Sequence, residues 1–280
     1  MMAFEFAYVK WGCGIVKSMR VNVNAWCAFA RRLLATAAMA VSVSGIVGLV
    51  SPLLAAPLLA QQLPPPPTPR SPYFGPLPAP SPVERLGPGL VRVGNIRVDT
   101  AKKELSVDGV VNDARVLEFL ANTKDGWKAY ESALELNTNA VNFNVACLLI
   151  GLDNAGAVVS RFQFDPLPPQ GHPLEMFVEW DSGGKRRRIR AEQLVYSRVT
   201  KQTLTEGPWV YTGSVFDTEN KTYMAETEGT LVGFLHNTAP IIESPRSLVG
   251  NFGDSIVNPE LNLKAGATVT LIVRALPRTR

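Results

Sequence analysis

The chain has 280 residues, with 28 Lys and Arg against 24 Asp and Glu, a formal net charge of +4. The excess is local: residues 1–60 hold Lys10, Lys17, Arg20, Arg31 and Arg32 against Glu5, which leaves 23 charges of each sign in the remainder. A body of balanced charge lacks the electrostatic footprint for a phosphate backbone, so no nucleic acid is expected as a partner.

Arg31 and Arg32 are followed by Leu33 to Ala60, a stretch without a charge. Basic, then apolar, then small-residue is the layout of an export signal or a membrane anchor, with the positive residues on the cytoplasmic side. Leu33 to Ser51 is 19 residues, about 28 Å as a helix and close to the hydrocarbon thickness of a bilayer. Pro52 and Pro57 interrupt the remainder of the stretch, while Ala55, Ala56 and Ala60 offer small residues to a peptidase. Residues 1–60 therefore read as a signal peptide, or as an anchor holding the membrane through residues 33–60 if uncleaved. The Arg31-Arg32 pair fits a twin-arginine signal only in part, and a start at Met19 rather than Met1 leaves a shorter basic region. The expected location is the periplasm or cell envelope.

Residues 61–89 form a linker. Leu63 to Pro88 contains 11 of the 22 prolines, and proline, which lacks a donor and fixes φ, favours polyproline II over helix or sheet. At about 3.1 Å per residue such a spacer reaches roughly 80 Å. Pro64-Pro65-Pro66-Pro67 is also the composition of a docking motif for an aromatic groove.

The body, residues 90–280, is long enough for one domain with its own core. Val91-Arg92-Val93 and Ile96-Arg97-Val98 alternate around Gly94-Asn95, and Leu105-Ser106-Val107 is expected to turn at Asp108-Gly109 into Val110-Val111. Val116 to Leu120 and Tyr130 to Leu136 read as strands, with helix as the alternative. Asn137-Thr138-Asn139 supplies caps for a helix over Ala140 to Ile150, closed by Gly151 and apolar on most sides. Cys147 on that helix is expected to be a small core residue. Met176 to Trp180 and Lys185 to Arg190 form a hairpin around Asp181-Ser182-Gly183-Gly184, and Ala191 to Val195 a short helix. Trp209 to Ser214, Thr230 to His236 and Ala267 to Arg274 complete the strands. Hairpins with one strong helix define the expected fold class, α+β: a single domain of mostly antiparallel hairpins packed on one main buried helix.

Leu117-Glu118-Phe119-Leu120, Tyr130-Glu131-Ser132-Ala133-Leu134 and Leu148-Leu149-Ile150-Gly151-Leu152 resemble blocks of the YdjY-like domain family. So do Phe177-Val178-Glu179-Trp180, Trp209-Val210-Tyr211-Thr212-Gly213-Ser214 and Glu228-Gly229-Thr230-Leu231-Val232, in the family's order. The resemblance implies an exported bacterial protein without an assigned activity. Some members are described as ferredoxin-like, but one body cysteine cannot ligate an iron–sulfur cluster, and no cofactor is expected.

Lys185-Arg186-Arg187-Arg188-Ile189-Arg190 places five cations in six residues. Arg187 and Arg188 are candidates for an anion site, although Glu175, Glu179, Asp181 and Glu192 stand ready to neutralise them. His172 and His236 are the only histidines; with Glu226 or Glu228 they have the composition of a two-histidine carboxylate site, without supporting spacing, and no metal is expected. His236 with Ser132 or Ser214 has the composition of a serine hydrolase, but Gly213-Ser214-Val215 lacks the second glycine of a nucleophile elbow. Tyr130-Glu131 and Trp209-Val210-Tyr211 join rings to polar groups, as sugar or peptide recognition requires, while aromatics in strands are also core residues. The first expectation is an exported cell-envelope binding or assembly module with a protein, glycan or peptide partner. The alternatives are an envelope hydrolase, metal-assisted or serine-based, and a structural component of an envelope complex.

Overall fold

Strand β1 (Ala7–Lys10) pairs antiparallel with β2 (Ile15–Ser18), Ala7 opposite Ser18, within a first unit spanning residues 1–64. The computed structural model describes residues 7–10, 15–18, 70–219, 221–246 and 253–278. Arg31-Arg32, the uncharged stretch 33–60, Met19 and the four consecutive prolines lie outside the described residues. Among the described residues no helix is long and apolar enough to cross a membrane.

The second unit, residues 65–280, is built on strands. Three short ones, β3 (Val83–Gly87), β4 (Leu90–Val93) and β5 (Ile96–Asp99), run antiparallel into the long β6 (Glu104–Val111). Then come β7 (Phe119–Thr123), β8 (Ser132–Leu136), helix α1 (Ala140–Leu149), and the long β9 (His172–Ser182) with its hairpin partner β10 (Lys185–Arg190). The small pair β11 (Val195–Ser197) and β17 (Ser255–Val257) stands apart, as does β13 (Phe216–Asp217) with β14 (Thr222–Tyr223). The remaining elements are β12 (Trp209–Tyr211), helix α2 (Met224–Glu228), β15 (Thr230–Gly233), β16 (Ile242–Glu243) and β18 (Thr268–Ala275).

Eight strands close a ring in the order β6, β8, β7, β15, β16, β12, β9, β18 and back to β6. Register and alternation define its inner face. Leu271 stands opposite both Val107 and Val178, Val273 opposite both Leu105 and Met176, and all are buried. Leu134 and Leu136 of β8, Val232 of β15, Ile242 of β16 and Trp209 and Tyr211 of β12 continue the lining. An eight-stranded barrel is narrow enough for side chains to fill, and these buried residues make the interior a packed core.

The α+β expectation is overturned: the domain is a mostly β, closed eight-stranded barrel with three added strands on β6, one on β9, and two short helices. The sheet buries its apolar face against itself and needs no covering helix. Helix α1 has the expected start, Asn139 Oδ1 accepting from Asn142 N at 2.8 Å, and ends at Gly151, whose φ is +89°. It turns Ala140, Phe143, Ala146 and Cys147 into the core but leaves Leu148 exposed, and it packs beside β4, β5 and β15 as one flank among several.

The turn expected at Asp108-Gly109 is also absent, since both residues lie inside β6. A Cβ on Gly109 would stand 2.3 Å from the Glu135 carbonyl oxygen of β8. The glycine lets two backbones approach where β6 exchanges β5 for β8 along one edge. The expected strand from Tyr130 is shorter than predicted, because Trp127–Glu131 forms a 3₁₀ turn before β8.

Candidate functional site

Strands β7 and β8 are parallel neighbours, Phe119 opposite Ser132. The chain must return along the barrel between them in only eight residues, 124–131, too few for a crossover α-helix. It does so by the turn at Trp127–Glu131, seated against Gly126, where a Cβ would press on Thr123 Oγ1 at 2.7 Å and the Gly229 carbonyl at 2.9 Å. That tight passage fixes Lys128. Its ammonium lies 2.7 Å from Glu131 Oε1, 4.3 Å from the centroid of the Trp127 ring, and 5.7 and 5.8 Å from those of Tyr130 and Phe119.

Two more carboxyls complete the cluster. Glu118 is buried; its N–H donates to the Glu131 carbonyl at 2.8 Å, and its Oε2 accepts from Gln163 Nε2 at 2.8 Å. Glu228, at the end of α2, buries Oε2 without a donor among the described residues. Burial and then the charge of Glu131 push the Glu118 carboxyl up; burial pushes Glu228 up, against the pull of Lys128. Burial alone would lower the Lys128 ammonium, but the hydrogen bond and charge of Glu131 outweigh it and hold it above its usual value. Burial, followed by the charge of Glu131, also raises the Tyr130 phenol. One ammonium thus serves three carboxyls among three rings, of which Tyr130 is exposed. The arrangement can take up a cationic or strongly donating group, because carboxylates and ring faces both attract it.

The hydrolase candidates are not hydrogen-bonded to one another, and His236 Nε2 is buried without a partner among the described residues. His236 is buried, its Nδ1–H donating to the Asp165 carbonyl at 2.5 Å. Ser132 Oγ donates to the Lys128 carbonyl at 2.7 Å and Ser214 Oγ to the Ala239 carbonyl at 2.6 Å, so neither hydroxyl is paired with an imidazole. Glu226 caps α1, accepting from Ala140 N at 2.8 Å, while His172 bonds the Leu276 carbonyl at 3.0 Å and accepts from Arg278 Nε at 3.2 Å. Among the described residues no three His, Cys, Asp or Glu side chains gather in a way that could hold a metal ion.

Trp209 and Tyr211 line the barrel, Tyr211 Oη donating to Asn144 Oδ1 at 2.6 Å. In the basic run, Arg188 pairs with Glu179 at 3.2 Å and stacks on Phe177 at 4.2 Å; Arg186 shares Glu179, and Arg190 pairs with Glu175 and Glu192. Arg187, opposite Trp180, lies on the other face of the hairpin and is exposed.

Sequence reading singled out Tyr130 and Glu131, and Glu228 only as a metal-ligand candidate, but not Lys128, Trp127 or Glu118; only the barrel brings these residues together. It also passed over Glu243. This residue points away from the barrel interior, on the face opposite Ile242, yet is 1 % exposed because the segment after Leu152 covers it. Ser160 Oγ and Asn237 N donate to Oε2 at 2.7 and 3.2 Å; Oε1 has no donor among the described residues, and burial pushes the carboxyl up to about 7. An acid between two apolar or polar neighbours in a short strand carries no local signal of this kind.

The fold defines a closed β-barrel domain that carries a buried carboxyl cluster around Lys128. Residues 96–273 match the YdjY domain, and the chain belongs to that family. No curated protein and no solved structure matches it.

Proposed function

We propose that this chain is an exported cell-envelope binding module, held at the membrane by residues 33–60 and contacting its ligand through Tyr130, Trp127 and the acids behind them. The observation that carries the reading is the Lys128 cluster: an exposed ring over a cation-poor group of carboxyls. The ligand class it fits is a peptide or amino-sugar polymer, whose flat or apolar part rests on Tyr130 while an amine reaches the acids. A hydrolase built on His236 would need a serine at Nε2, which is buried without a partner among the described residues, whereas Ser132 and Ser214 donate to the Lys128 and Ala239 carbonyls.

The test is site-specific photocrosslinking in growing cells, with a photoreactive residue replacing Tyr130 or, as control, Phe216, which is also exposed. The expected result is a discrete envelope adduct from position 130, diminished at least fivefold by Glu118→Gln and Glu228→Gln together. Fractionation of the chain with the cytoplasm, or equal adducts from both positions, overturns the proposal.

A further inference from the structure

The segment between Leu152 and β9 reverses the usual order of a surface loop, in which polar side chains meet water and apolar ones turn inward. Here polar groups hold the loop to the barrel. Ser160 donates to Glu243, Gln163 to Glu118, and the buried Asp165 carboxylate accepts the N–H groups of Arg161 and Leu167 at 3.0 Å each. The Phe164 N–H donates to the His236 carbonyl at 2.8 Å. Apolar side chains face out: Val158, Phe162, Phe164 and Leu167 are 46, 53, 48 and 56 % exposed. Anchored from beneath, the loop presents them on a fixed base, and four such residues within ten make a patch of the kind that marks an interaction site.

We infer that this loop rests in the headgroup–acyl boundary of a lipid bilayer. The inference relies on the proposed envelope location with residues 33–60 in the membrane. Two observations select lipid as the occupant. First, the patch is electrically neutral: its one cation, Arg161, is paired with both oxygens of Asp165 at 2.7 Å. The acids behind it, Glu118, Asp165 and Glu243, are buried, so nothing repels an anionic headgroup layer. Second, the chain is short where it joins the barrel. Arg70 bonds the Gly126 carbonyl at 3.3 Å and pairs with Glu135, only ten residues after Ala60. Ten extended residues reach at most ~36 Å. A tether of that length keeps the barrel within reach of the bilayer, and β7, five residues and about 17 Å long, separates the Arg70 contacts from the level of Glu118 and the loop. The loop's position is within the reach of the tether.

The test uses the full chain with Cys13→Ser and Cys27→Ser, reconstituted into phosphatidylethanolamine–phosphatidylglycerol vesicles containing doxyl-labelled quencher lipids. A polarity-sensitive fluorophore is placed through Phe162→Cys or, as control, through Val83→Cys on the outermost strand β3; Cys147 is buried and stays unlabelled. The expected result is a blue shift and at least twofold quenching at position 162, with neither at position 83. If the chain floats with the vesicles but position 162 is unquenched, the loop inference falls and the anchor reading stands. If the chain does not float, both fall. Quenching that persists in a chain also carrying Phe164→Ser and Leu167→Ser would mean the label alone inserts, and would overturn the inference as well.

Discussion

Ser160 and Glu243, 83 residues apart in the chain, meet outside the barrel wall, the serine hydroxyl donating to Oε2 at 2.7 Å. The bond ties the covering loop to β16 and leaves a carboxyl in surroundings that disfavour its charge.

The consequence is a pH dependence. Burial holds Glu243 at about 7 in the folded chain, against 4.5 for the free side chain. Between those values the folded state keeps a proton that the unfolded chain has lost, so stability falls as the pH rises from about 4.5 to about 7 and is level above. At ~1.4 kcal/mol per pH unit the loss is roughly 3 kcal/mol. Glu243→Gln keeps an acceptor for Ser160 and removes the titration. Melting curves at pH 5 and pH 8 should separate clearly for the native chain and much less for the variant. Glu118, Glu226 and Glu228, raised by burial too, retain a smaller slope. An undiminished slope in the variant would assign the effect to those acids instead.

Lys128→Met tests the cluster at the 3₁₀ turn. It leaves Glu131 buried without its cation, and breaking such a pair from one side costs about 2–4 kcal/mol. The loss should be greater at pH 8 than at pH 5, because Glu118 and Glu228, raised by burial, gain protons more readily as the pH falls. Urea unfolding at both values reads this; an equal loss at both would put the cost in packing.

Gly109→Ala should destabilise the barrel by more than about 2 kcal/mol, because the new methyl group meets the Glu135 carbonyl at 2.3 Å, and neither strand can retreat without breaking its other pairing. Gly87→Ala, with nothing within 4 Å, should stay within about 0.5 kcal/mol of the native chain. Denaturant midpoints of the two variants make the comparison, and similar values would contradict the close-approach account.

In a chain with Cys13→Ser and Cys27→Ser, Cys147 should not react with a thiol reagent until the protein is denatured. The side chain is fully buried and burial pushes its thiol up, so the reactive thiolate is scarce as well as inaccessible. Absorbance on addition of the reagent, with and without guanidinium, measures this. Rapid reaction of the native protein would show α1 opening from the core.

Elements specified within a few residues were legible in the sequence. The hairpin of β9 and β10 turns at Gly183 and Gly184, with φ of +57° and +76°, and α1 carries its own cap and stop. The barrel was not legible, because its closure rests on β18 pairing with β6 across some 160 residues, Thr268 opposite Val110, for which no local pattern exists. The same limit applied to the cluster around Lys128. Tyr130 and Glu131 stood out as a ring beside an acid, whereas Lys128 looked like an ordinary loop lysine until the fold brought Glu118 and Glu228 to it. Trp209 and Tyr211 have the composition of a binding face, but alternation along β12 turns both rings into the barrel.

The place of β18 between β6 and β9 also sets the order in which the domain comes into being. Until residues 268–275 have been synthesised, the edges at Glu104–Val110 and Leu174–Glu179 have no strand between them. A nascent chain in that condition cannot seal its core, and pairings so distant in sequence form slowly. The polypeptide thus stays without a sealed core for as long as it is being made. A chain cut short before β18 would instead leave two adhesive edges open to its neighbours.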